Sequence, residues 1–153
     1  LAVRTIDACD LVAQMLDFVD KTLREKRIDV EVALPAEPVL IQGDPAQLQQ
    51  ALLNVIMNAI QAIGTEGTLA VRLDRRSRGG RRGLEVSVSD SGPGIPGHVI
   101  GRIFEPFFTT KETGTGLGLA ITSQIVRAHH GRIQAENLEA GGARVRFWLP
   151  LEI

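Results

Sequence analysis

Apolar positions along the chain change period several times, and the changes divide it into elements. Between residues 11 and 26, Val12, Met15, Leu16, Val19 and Leu23 recur at the three- and four-residue spacing of one helix face. Two short runs follow at 29–34 and 39–42, separated by Pro35 and Pro38, and both have the composition of strands. Asp44-Pro45 predicts a helix start, with aspartate as N-cap and proline at the first helical position. That helix should run to about Ile63 and stop at Gly64, burying Leu48, Leu52, Val55, Ile56, Ala59 and Ile63. Strand character returns at 68–73 and 84–89, predicting a pair joined by residues 74–83. Residues 90–116 are broken by glycines and prolines and predict irregular backbone, a length of loop that is usually functional. A helix over 117–130, closed by Gly131, and strands over 132–137 and 143–149 around a Gly141-Gly142 turn complete the chain.

The order is helix, two strands, helix, two strands, glycine-rich loop, helix, two strands. Three helices so spaced can cover one face of a mixed sheet, which predicts an α+β fold built as a two-layer sandwich. With 153 residues, the expectation is a single domain over 1–153. A net charge of −1 gives no general attraction to nucleic acid or to an anionic membrane, and neither is expected as a partner. The one cysteine, Cys9, cannot close an internal disulfide, which suits a reducing, cytoplasmic setting. No run approaches the roughly 20 apolar residues of a membrane span. Asp7, Asp10, Asp17 and Asp20 are foreign to a secretory signal, and a chain starting at Leu1 reads as a fragment of something longer.

Four places carry candidate chemistry. Arg75, Arg76, Arg78, Arg81 and Arg82 lie in the 74–83 connection; without an aromatic residue for base stacking, a solvated hairpin loop is the better reading than a nucleic-acid patch. Asn54 and Asn58 stand one helical turn apart at the polar edge of the apolar stripe, together with Gln47, Gln50 and Gln61. A carboxamide oxygen suits Mg²⁺, although two such residues on a helix edge, taken alone, are more often simply solvated. Asp90-Ser91-Gly92-Pro93-Gly94-Ile95-Pro96 follows a strand directly, so it is either a plain turn or a carboxylate on a pocket floor that glycines open to a flat ligand. Gly114-Thr115-Gly116-Leu117-Gly118-Leu119 opens the third helix, where converging N–H groups bind phosphate. The residues before it, Phe107-Phe108-Thr109-Thr110-Lys111-Glu112, are not the strand of a dinucleotide fold, and no GxxxxGK[ST] phosphate loop occurs.

The asparagine pair, the Asp-x-Gly-x-Gly run, Phe104-Glu105-Pro106-Phe107-Phe108 and the Gly-Thr-Gly-Leu-Gly-Leu run occur in one order over residues 44–120. In that order the chain resembles the catalytic, ATP-binding domain of sensor histidine kinases. The segments 125–131 and 147–150 follow the same family. The resemblance implies the α/β sandwich called the Bergerat or GHKL fold, with ATP lying between the helices and a lid. It implies Asn58 as the Mg²⁺ ligand, with Asn54 lining the phosphates, and Asp90 as acceptor of the adenine amino group. Gly92, Gly94 and Ile95 would shape the adenine floor, and Phe104, Phe107 and Phe108 would anchor the lid, core packing being the alternative. Gly114, Thr115, Gly116, Leu117, Gly118 and Leu119 would cradle phosphates, and Lys111 would reach the terminal ones unless it is only an exposed lysine. Asn54, Asn58 and Lys111 form the implied catalytic set.

The implied reaction is donation of the γ-phosphate of Mg-ATP to a histidine on a separate dimerisation hairpin, with a response regulator downstream. That hairpin is expected to lie outside this chain, whose isolated domain is then expected to be monomeric and silent in autophosphorylation. The chain departs from the family pattern at Gln61, where several members carry a cation, and at Gly142-Ala143, where Gly-Thr is common; one phosphate and one secondary adenine contact are at stake. Superfamily ATPases place a glutamate base four residues before the Mg²⁺ asparagine, where this chain has Asn54. The alternatives are a serine kinase, disfavoured by Phe104–Phe108, an ATPase, disfavoured by Asn54, and a module that binds nucleotide only to hold a conformation. None of His98, His129 and His130 has the acidic neighbour of an acceptor histidine.

Overall fold

The computed structural model describes residues 1–106, 108 and 118–153. Its elements run β1 (Arg4–Asp7), α1 (Ala8–Glu25), β2 (Ile28–Ala33), β3 (Leu40–Gly43), α2 (Pro45–Ile63), β4 (Gly67–Arg75), β5 (Gly83–Asp90), a 3₁₀ turn (Ile100–Arg102), α3 (Gly118–Ala128), β6 (Arg132–Asn137) and β7 (Ala143–Pro150). Five strands form one sheet in the order β2-β4-β5-β7-β6, while β1 and β3 pair antiparallel apart from it. Only β2 against β4 is parallel; the other pairings in the sheet are antiparallel, so the sheet is mixed. The three helices pack on one face of it, the two-layer sandwich expected.

The core lies between these layers. From the sheet come Leu69, Val71 and Leu73 of β4, Leu84, Val86 and Val88 of β5, and Val145, Phe147 and Leu149 of β7, all buried at period two. From α2 come Leu48, Leu52, Val55, Ile56, Ala59 and Ile60, with α1 adding Val12, Val19 and Leu23 and α3 adding Ile125 and Val126. Ile63, expected in the stripe, is only half-buried, and Ile60, one turn after Ile56, takes the core position instead. The opposite face of the sheet is charged: Glu85 lies between Arg76 and Arg146, and Glu136 between Arg144 and Arg146. Adjacent residues of β7 divide accordingly, Phe147 entering the core while Trp148 lies over Gly83 and donates from Nε1 to the Arg76 carbonyl at 2.7 Å.

The helix ends show which local signals governed them. Asp44 caps α2 by accepting from the Gln47 amide at 3.2 Å, and Gly64 closes the helix at φ 74°. Asp7 does the same for α1 through the Cys9 amide, so that helix starts at Ala8 rather than near Leu11. At the end of α3 it is His130 that takes the left-handed conformation, φ 63°, and not Gly131. A side chain on Gly131 would overlap the Trp148 carbonyl, so its small size serves close approach to β7. The arginine-rich connection is a tight hairpin in which Arg78 and Arg81 exchange backbone hydrogen bonds of 2.9 Å around Gly79-Gly80. Three of its arginines bond within the chain: Arg75 to the Pro38 carbonyl, Arg76 to Glu85 and Arg81 to the Glu152 carbonyl.

Candidate functional site

Asp90 is the last residue of β5, so the alternation that buries Leu84, Val86 and Val88 also turns its carboxylate inward, leaving it 8% exposed. Two backbone N–H groups meet its Oδ1, from Gly92 at 2.9 Å and from Ala143 at 3.4 Å. The second comes from β7 across 53 residues of sequence. Both approaches need glycine. A Cβ at Gly92 would stand 2.6 Å from the Ala62 carbonyl oxygen at the end of α2. A Cβ at Gly142, whose φ is 87°, would overlap the Asp90 carbonyl. Ser91 fixes the loop's exit by accepting from the Thr68 amide at 2.8 Å and donating its own amide to the Thr68 carbonyl. At Gly142-Ala143, where the chain departs from the family pattern, the contact to Asp90 is made by the Ala143 backbone and does not depend on the side chain there.

A second cluster forms where α2 meets α3. The Asn54 Nδ2 donates to the Gly118 carbonyl at 3.2 Å, and Thr122 Oγ1 donates toward the same carbonyl at 3.0 Å and lies 3.3 Å from the Ala51 carbonyl. Asn54 thus ties the start of α3 to the middle of α2. Asn58 is half-buried one turn further along α2, on the way to Ala62 and the Asp90 loop. Leu119 and Phe104 are half-buried against the main core, and the Arg102 guanidinium lies over the Phe108 ring at 4.7 Å. Gly94 and Ile95 lie in the loop after Asp90, where Ile95 is held by Asn137. Phe107, Lys111, Gly114, Thr115, Gly116 and Leu117 lie outside the described residues.

The sequence reading missed Asn137, Ser91, Thr122 and the Ala143 amide. The three side chains act on backbone, and only Ser91 lies inside a motif singled out in the sequence; for Asn137 the nearest signal was an asparagine ending a strand beside a Gly-Gly turn. The histidines sort by environment. His129 is 2% exposed, accepts from the Asp44 amide at Nε2 (3.0 Å), and its Nδ1 stands 2.8 Å from the Ile125 carbonyl. Both ring nitrogens are thus occupied in a link between the N-terminus of α2 and the C-terminus of α3. His98 and His130 are exposed. The Asp44 carboxyl is held below its ordinary value first by the Ala2 amide and then by the Gln47 amide.

Compared with known proteins, residues 43–153 match the family described as "Histidine kinase-, DNA gyrase B-, and HSP90-like ATPase". The chain belongs to this family. Within it, the sensor histidine kinase ZraS of Escherichia coli O157:H7 is 40% identical over 153 residues, 100% of this chain and 32% of ZraS. The chain therefore spans about a third of the length of such relatives. The catalytic domain of histidine kinase ThkA, in a nucleotide-free form, superimposes with a TM-score of 0.91 at 31% identity, over 99% of this chain and 97% of that one. A structure of ThkA with the response regulator protein TrrA matches at a TM-score of 0.84 and 29% identity, over 97% of this chain and 42% of that one. Full-length ShkA in complex with AMPPNP matches at 0.85 and 30% identity, over 98% of this chain and 31% of that one. The fold is thus that of a histidine kinase catalytic, ATP-binding domain. No helix among the described residues is long and apolar enough to cross a membrane.

Proposed function

We propose that this domain binds ATP with Mg²⁺ and donates the γ-phosphate to a histidine on a separate dimerisation hairpin, in a cytoplasmic two-component pathway. The observation that carries this reading is the Asp90 carboxylate, buried at the end of β5 with two backbone N–H groups on one of its oxygens. A carboxylate held in this way accepts strongly from the adenine amino group and repels the guanine carbonyl at the same position. The AMPPNP complex of ShkA supports an adenine nucleotide as ligand.

The phosphate side of the site is the junction of α2 and α3, where Asn54 bonds the Gly118 carbonyl. Among the described residues no cluster of three or more His, Cys, Asp or Glu could hold a metal alone. A single carboxamide oxygen from Asn58, completed by nucleotide phosphates and water, is the ligation that Mg²⁺ accepts. When bound, that ion neutralises charge on the transferring phosphate. The chain's own part is positioning: Asp90 orients the base, α2 and α3 orient the phosphates, and the attacking nitrogen arrives in line. Asn54 supports transfer over hydrolysis, because a carboxamide cannot take a proton from water at neutral pH. His129 is buried with both nitrogens engaged, which supports an acceptor on another element. A response regulator is the expected next recipient, as the ThkA–TrrA complex suggests.

Calorimetry tests the base-reading step. ATP and ADP should bind well and GTP far more weakly. Loss of one charged hydrogen bond, about 1.5–3 kcal/mol, means that Asp90→Ala weakens ATP roughly 10- to 100-fold. Equal affinity of wild type and variant for ATP removes Asp90 from the site.

A further inference from the structure

We propose that Asn137 is a positioning residue for nucleotide binding, clamping the backbone of Ile95 and so fixing the glycine loop after Asp90 without touching the nucleotide. This rests on the reading of the Asp90 loop as the adenine site. Asn137 Oδ1 accepts from the Ile95 amide at 2.7 Å, and Asn137 Nδ2 donates to the Ile95 carbonyl at 2.7 Å. One carboxamide thereby satisfies both backbone groups of one residue, a match that needs a donor and an acceptor side by side. Gly94, immediately before, sits at φ 83°, and a Cβ there would approach Asn137 Oδ1 to 3.0 Å.

Register explains why the clamp sits where it does. Asn137 ends β6 and pairs with Ala143, the first residue of β7. Ala143 in turn donates its amide to Asp90 Oδ1. A single cross-strand pair thus holds the loop twice, at Asp90 where it leaves β5 and at Ile95 beyond its second glycine. Residues 91–99 belong to no helix or strand, so ordering them in the free protein removes an entropic cost that nucleotide binding would otherwise bear.

The test measures ATP and ADP affinity by calorimetry and amide exchange by NMR on the full chain. Asn137→Ala should weaken both nucleotides by about 5- to 30-fold, as expected for two lost neutral hydrogen bonds. The factor should be the same with and without Mg²⁺, since the clamp acts on the base half of the site. Exchange of the Ile95 amide should accelerate while the melting temperature stays close to wild type. Should the alanine variant fold poorly, Asn137→Ser, too short to bridge both atoms, carries the same expectation. Asn137→Gln, with the same donor–acceptor pair on a longer arm, should recover part of the affinity; recovery no greater than for serine contradicts the clamp. Weakened binding by Asp90→Ala with unchanged binding by Asn137→Ala overturns the positioning role alone. Unchanged binding by Asp90→Ala overturns the site reading on which it rests.

Discussion

At the scale of single residues, the site divides into side chains that present chemistry and side chains that hold backbone. Asn58 belongs to the first group in the proposed reading, and its contribution passes through the ion. Asn58→Ala should therefore weaken Mg·ATP much more than metal-free ATP, measured by titration in magnesium and in chelator. Equal losses in both would move Asn58 out of the metal shell. Asp90 and Asn58 stand out in the sequence as candidates because each sits in a pattern, with flanking glycines or a helical repeat. Asn137 was not. Its function depends on a register that brings position 137 beside 95 across 42 residues, and no local pattern encodes that distance. Nor is the environment of His129 encoded locally, since tertiary packing seals it between Asp44 and Ile125.

At the scale of elements, caps and periodicity were the reliable signals. Asp44-Pro45 and Gly64 bounded α2 as expected, and the strands of the main sheet fell within two residues of their expected ends. Strand β1 was invisible because only Ile6 of its four residues is apolar, and it exists by pairing with β3, Ile6 opposite Ile41. The Gly131 stop was misassigned because a helix end with glycine beside it looks alike whether the glycine turns or merely makes room. Asp44 offers a test with a definite sign. Its carboxyl lies below the ordinary 3.8 when folded, so the stability it contributes is fully present above that value. That contribution is lost as pH falls through the lower folded value. Asp44→Asn keeps an acceptor for the Gln47 amide and should flatten the acid limb of a melting-temperature profile, whereas Asp44→Ala should lower the melting temperature at neutral pH as well. A wild-type profile identical to that of Asp44→Asn below pH 4 would contradict this.

At the scale of the whole molecule, a mixed sheet carries a charged face and a helix-covered face, and the proposed site lies where β5, β7, α2 and α3 converge. The antiparallel β5–β7 pairing sets Ala143 at the end of β5, beside Asp90, and the packing of α2 on α3 sets Asn54 against Gly118. Neither junction is local in sequence, which is why the motifs were legible but their supports were not. In the proposed function the domain donates phosphate to an acceptor on a separate hairpin. One measurement tests this most directly: ATP labelled at the γ-phosphate, incubated with this chain alone and with the chain joined to its parent's acceptor hairpin. Alone, the chain should stay unlabelled and release phosphate only slowly; with the hairpin, acid-labile label should appear on the hairpin histidine and vanish with Asp90→Ala. Label on His98, His129 or His130, brisk phosphate release by the chain alone, or no transfer to the hairpin would contradict the account.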